Sequence, residues 1–249
     1  MPRLRLLPVA LLLLALGANV AAGADGDCCR DLLDLDPYLP AAATLARELA
    51  GCEAVPCAHL ARGIALLAAA QVAEARAELA VARRLDPGSP YPLYYLADIA
   101  LRSGDTAGAI DALAGALRLR PAFAGAHALL GRAHLAAGST EKGLSALRAA
   151  IAHAPGRVEG HLDLGRAYLD AGQHERAVIE LERVIEIDPR CHEARYLLAR
   201  AEMNAGRLDE GYAALEAYVR EARAVPGENE RVTRAEEILR RFSGGTGAS

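Results

Sequence analysis

Four prolines constrain this chain more than any other feature. Pro87, Pro121, Pro155 and Pro189 stand 34 residues apart, so the chain between them repeats one structural idea. The stretch from Val158 to Cys191 shows the unit most clearly. Leu162, Leu164, Gly165, Tyr168 and Leu169 recur at helical spacing, and after Gly172 the set Ala177, Val178, Leu181, Val184 and Ile185 does so again. That spacing predicts two amphipathic helices per unit. Gly172 suits the left-handed residue that ends the first helix. Pro189 stops the second and pushes Asp188 toward an extended conformation.

Aligned on the prolines, the neighbouring units keep the same side chains. Leu96, Leu130 and Leu198 match Leu164; Gly63, Ala97, Gly131 and Ala199 match Gly165; Ala75, Ala109, Gly143 and Gly211 match Ala177. Leu79, Leu113, Leu147 and Leu215 match Leu181, and Ala82, Ala116 and Ala150 match Val184. Small residues fall where the two helices of a pair cross, which lets their axes approach to about 8–10 Å. This pattern resembles the tetratricopeptide repeat family. The resemblance implies an all-α fold, a right-handed α-solenoid of tetratricopeptide helical hairpins with a C-terminal capping helix. The family's aromatic at the fourth position of each repeat is replaced here by His59, Leu93, His127, His161 and Arg195.

The 34-residue frame divides the chain into five repeats, 56–89, 90–123, 124–157, 158–191 and 192–225, the last of them degenerate. Tyr218 stands in it where small residues are usual, and the closing proline comes late, at Pro226. Residues 226–243 place Val232, Ala235, Ile238, Leu239 and Phe242 on one helical face and read as a capping helix, followed by a Gly-rich tail at 244–249 expected to be disordered. Each repeat needs only its neighbours, so a length of 249 residues requires no second domain.

Residues 1–24 read as a secretory signal, with Arg3 and Arg5 before the apolar run Leu11–Leu16 and the small residues Ala22, Gly23 and Ala24 at the cleavage site. Cleavage would leave no membrane span and predicts a periplasmic or secreted protein. Taking Arg3 and Arg5 from 28 basic residues against 32 acidic ones leaves a net charge of −6. Such a chain lacks the basic face that nucleic acid demands. Four of the five cysteines, Cys28, Cys29, Cys52 and Cys57, cluster in or beside an N-terminal segment, 25–55, that holds one degenerate helix. After export, at least one of Cys28 and Cys29 is expected to pair with Cys52 or Cys57, since adjacent cysteines rarely reach disulfide geometry without strain. Cys191, between repeats, reads as a small packing residue.

No nucleophile elbow, phosphate loop, dinucleotide fingerprint or HExxH pair occurs in the repeats, so neither an enzyme nor a cofactor or metal site is expected. His59, His127 and His161 share one repeat position, but successive repeats rise by about 10 Å, too far for shared ligation, so they read as packing residues. A second column is more informative. Arg132, Arg166 and Arg200 recur every 34 residues on the first helix of three consecutive repeats. The resemblance places them on the concave groove with Tyr94, Tyr95, Asp98, Tyr196 and Asn204. Guanidinium forks match carboxylates and tyrosine supplies rigid contact area, which suits an acidic or C-terminal segment of a partner protein. A second reading stays open: Arg166 has Asp163 and Asp170 one turn away, as in a solvated ion-pair ladder. The expected function is a non-catalytic interaction scaffold or assembly factor of the bacterial cell envelope. The alternative is an accessory subunit of a secretion or polysaccharide-export machine, making contact through its convex face or capping helix.

Overall fold

A computed structural model of the chain describes residues 56–245, with side chains to residue 241. The signal at 1–24, the segment 25–55 with Cys28, Cys29 and Cys52, and the tail 246–249 lie outside the described residues. Within them the chain is all-α, with eleven helices: α1 Pro56–Ala68, α2 Val72–Leu85, α3 Tyr91–Arg102, α4 Thr106–Leu119, α5 Ala124–Ala136, α6 Thr140–His153, α7 Val158–Asp170, α8 His174–Ile187, α9 His192–Asn204, α10 Leu208–Ala222 and α11 Asn229–Gly245. These helices fall into two compact units that divide inside α3, between Tyr95 and Leu96.

The breaks follow from single residues. Gly104, Gly138, Gly172 and Gly206 end the first helix of four repeats with φ between +70° and +87°. Behind Gly172, its own N–H donates to the Leu169 carbonyl at 3.1 Å and that of Gln173 to the Tyr168 carbonyl at 2.8 Å, the paired bonds that satisfy a helix C-terminus. In the first repeat the equivalent place belongs to Ala70, at φ +59°, where Cβ crowds the following carbonyl. The second helices of the first four repeats end at the residue before the landmark proline. Asp86, Arg120, Ala154 and Asp188 all leave helical geometry, at ψ between 72° and 93°, because proline disfavours a helical predecessor.

Within each hairpin the helices meet at the small residues. A Cβ built on Gly131 would lie 2.6 Å from Leu147 Cγ, and one on Gly165 would lie 2.8 Å from Leu181 Cγ. In the first unit, α1 and α2 pack in the same way, with Gly63 against Leu79. In the second unit the hairpins α5–α6, α7–α8 and α9–α10 stack through α4 on α5, α6 on α7 and α8 on α9. Leu113, Leu147, Leu181 and Leu215 are all fully buried. The first helices also touch directly, α5 with α7 and α7 with α9, so Arg132, Arg166 and Arg200 share one face.

The fifth repeat departs from the others at its end. Tyr218 fills the buried place of an alanine or valine, and α11 begins at Asn229 rather than near position 226. It then runs to Gly245, two residues beyond the expected boundary. Val232 and Ala235 of α11 are buried in the core cluster, and Ile238 and Leu239 pack against it. Cys191 packs against the same cluster and carries a free thiol; burial raises the pKa of that thiol. None of the described helices is long and apolar enough to cross a membrane.

Ala70→Gly should stabilise the first unit by about 1 kcal/mol, because glycine occupies the left-handed region without the Cβ conflict. Thermal or urea unfolding reads this as a higher midpoint. A lowered midpoint would mean that the strain at Ala70 is negligible.

Candidate functional site

The three arginines of the column differ in their surroundings. Arg166 donates to Asp163 Oδ1 at 3.3 Å on its own helix and to Glu193 Oε1 at 2.5 Å on α9. Glu193 is shared, since Arg231 of α11 reaches its other oxygen at 3.2 Å. Arg231 also donates to Glu228 Oε1 at 2.7 Å, and the other oxygen of Glu228 accepts the Tyr218 hydroxyl at 2.7 Å. A ladder of alternating charge therefore runs from α7 across α9 into the capping helix. Arg132 stands at its near end, exposed on α5, and acts on the Asp163 carboxyl through space. Burial raises the Asp163 pKa, and the charges of Arg132 and Arg166 pull it back.

Arg200 stands outside the ladder. Its guanidinium lies 5.8 Å from the ring centre of Tyr196, one turn back on α9, within cation–π range. Among the described residues, neither Arg132 nor Arg200 makes an ion pair or hydrogen bond. The ladder and ligand readings of the column thus apply to different members of it: Arg166 is neutralised, and Arg132 and Arg200 are not.

The other expected groove residues scatter. Tyr196 is a correction: it is buried, 4% exposed, with its ring 5.5 Å from that of Tyr218. The capping helix closes the core there, so Tyr196 packs and supports Arg200 rather than offering surface; its hydroxyl is buried without a partner among the described residues. Asn204 is exposed at the end of α9. Asp98 pairs with Arg102 at 2.8 Å. Tyr94 and Tyr95 belong to the first unit, half-buried and edge to face at 5.1 Å. Of the cysteines expected to bridge, Cys57 alone is described, in the first turn of α1.

The fourth-position residues do more than pack. His127 Nε2 donates to the Pro121 carbonyl at 2.8 Å, His161 Nε2 to the Pro155 carbonyl at 3.1 Å, and Arg195 to the Pro189 carbonyl at 2.8 Å. Each reaches back six residues to the proline that closes the preceding repeat. His161 Nδ1 also meets Glu180 at 2.7 Å, and His59 in the first unit meets Glu78 at 2.6 Å. Where the tetratricopeptide repeats that this pattern resembles place an aromatic ring, His127, His161 and Arg195 tie the inter-repeat turn with a hydrogen bond. The signal is visible in the sequence as side chains that can donate six residues after Pro121, Pro155 and Pro189, whereas Leu93 stands six residues after Pro87.

Comparison with known proteins agrees with this architecture. Two models of the tetratricopeptide repeat match residues 94–158 and 134–193. Among solved structures, the chain is similar to a tetratricopeptide repeat protein of Thermus thermophilus, with 24% identity, a TM-score of 0.59, and coverage of 73% of this chain and 97% of that one. It is similar to the 41-end form of MamA from Desulfovibrio magneticus, at 20% identity and TM-score 0.59 over 75% of this chain and 98% of that one. It is also similar to YrrB, described as a repeat protein with an unusual peptide-binding site, at 15% identity and TM-score 0.58 over 79% and 99% of the two chains. At these identities the likeness is one of fold. No curated protein matches the sequence.

The network at the cap sets a pH dependence. Burial would raise the Glu228 pKa, but hydrogen bonds from Tyr218 and Arg231 outweigh it and hold the carboxyl below its ordinary value. A carboxyl lowered in the folded state contributes stability above its unfolded pKa and loses it as pH falls through the folded one. Tyr218→Phe should therefore cost about 1 kcal/mol near neutral pH, and the difference from wild type should shrink below about pH 4. Urea unfolding of both proteins across that range checks it; a constant difference would place the effect in packing.

Proposed function

We propose that this chain, whose residues 94–193 match models of the tetratricopeptide repeat, is a non-catalytic protein-interaction scaffold that takes an acidic or C-terminal partner segment along the face of α5, α7 and α9. Repeats of this kind present side chains from stacked first helices to one extended ligand. The observation that carries the reading is a pair of uncompensated guanidinium groups, Arg132 and Arg200, on one face of a chain whose formal net charge is −4. Uncompensated charges of one sign steer a ligand of the other. The bacterial envelope is the compartment we assign, on the signal-like residues 1–24 and the cysteine cluster.

Peptides selected on the wild-type protein from a displayed library should be anionic. Arg132→Ala with Arg200→Ala should weaken their binding about tenfold and flatten its salt dependence, as expected for two partly exposed charge contacts. Melting should stay nearly unchanged, because neither arginine holds another element. Equal affinity in the double variant would contradict the reading. For the compartment, protein recovered from the envelope should begin near Asp25 and show a bridge from Cys28 or Cys29 to Cys52 or Cys57 in non-reducing peptide maps. Soluble protein that retains Met1–Ala24 with four free thiols there would contradict it.

A further inference from the structure

We infer that the segment bound on this face carries two carboxylates about six residues apart, rather than a continuous acidic run. The inference rests on the interaction reading above and adds the ligand's pattern to it. The middle arginine of the column is already saturated, with Asp163 at 3.3 Å and Glu193 at 2.5 Å. Around it, the face is lined with carboxylates of its own: Asp163, Glu193 and the exposed Glu159, which meets Arg157 at 3.4 Å. An anion placed over the middle would displace a formed ion pair and face at least two like charges. An anion at either end meets an arginine that has none.

The spacing follows from helix packing. Arg132, Arg166 and Arg200 occupy equivalent places on α5, α7 and α9, which contact each other in succession. Neighbouring helix axes lie about 8–10 Å apart, so the two outer arginines are about 20 Å apart. An extended segment advances about 3.3–3.6 Å per residue, so about six residues span them. Six is also an even number, and side chains two, four or six apart share one face of an extended chain. Both carboxylates of an i, i+6 pair therefore point at the protein, whereas an i, i+5 or i, i+7 pair splits across the two faces. Residues between the pair are best neutral, because they lie over Asp163 and Glu193.

Fluorescein-labelled decapeptides, blocked at both ends, test this directly: a neutral Ser/Thr background with two Glu at i, i+2, at i, i+5 or at i, i+6, a single-Glu control, and an all-Glu decapeptide. Anisotropy is read at low ionic strength, about 0.02 M, where screening extends over about 20 Å. The i, i+6 peptide should bind at least about threefold tighter than the i, i+2 and i, i+5 peptides of equal charge, through the effective concentration of its second carboxylate. That advantage should vanish in Arg132→Ala and in Arg200→Ala separately, while their melting stays that of wild type. The all-Glu peptide should gain less than its charge predicts. Equal binding by all two-Glu peptides, still lost with Arg132 and Arg200, would overturn the spacing and leave the interaction reading standing. Binding that responds to neither spacing nor arginine would overturn both.

Discussion

Everything in the second unit depends on how closely paired helices approach at one small residue per hairpin. With a Cβ at Gly131 or Gly165 lying within 2.8 Å of the facing leucine's Cγ, there is no room for a larger side chain without moving a helix. The leucine that fills the space, Leu147 or Leu181, is fully buried and so contributes about 1.5–3 kcal/mol of apolar burial at each crossing. The crossing sets the angle of the hairpin, the hairpin sets the stacking of its neighbours, and the stacking brings α5, α7 and α9 onto one face. Arg132, Arg166 and Arg200 are aligned because the small residue just before each, Gly131, Gly165 or Ala199, lies at the crossing of its hairpin.

On that face the charges are arranged unequally. A repeat protein with three like charges in a row must balance them or keep them for a ligand. Here one is balanced, and the other two make no ion pair among the described residues. Arg166 lies between Asp163 and Glu193 and ties two repeats together, and Arg231 extends the ladder to the capping helix through the same Glu193. Each bond is partly solvated, so each adds less than about 1 kcal/mol, yet together they fix the register in which α11 covers the last repeat. Tyr218 anchors that end: it is buried, and its hydroxyl finds Glu228. The three-residue delay before α11 is what brings Glu228 to it.

How much of this can be read from the residues alone depends on the range of the interaction. Pro189, Gly172, Gly165 and Leu181 act locally or across one hairpin, and their columns predict the all-α hairpin architecture directly. Ala70 stays hidden because alanine carries no signal for a left-handed conformation; only its place in the glycine column marks it. The bond from Arg166 to Glu193 spans 27 residues and joins two repeats, beyond the i+3 and i+4 neighbours that helix spacing exposes. Tyr196 reads as groove surface because its position faces the groove in an interior repeat. Here the following helix is the cap, and Tyr218 and the cap's apolar face close over it.

The central claim is that one arginine of the column is structural while its two neighbours are held in reserve. Nitrogen-15 NMR of the guanidinium groups tests this in the free protein. Arg166 should show slowed rotation about its Cζ–Nε bond and protected Nη protons, as its two carboxylate partners require. Arg132 and Arg200 should show fast rotation and rapid proton exchange with water. Three arginines with the same mobility, or a restrained Arg132 beside a freely rotating Arg166, would contradict the account.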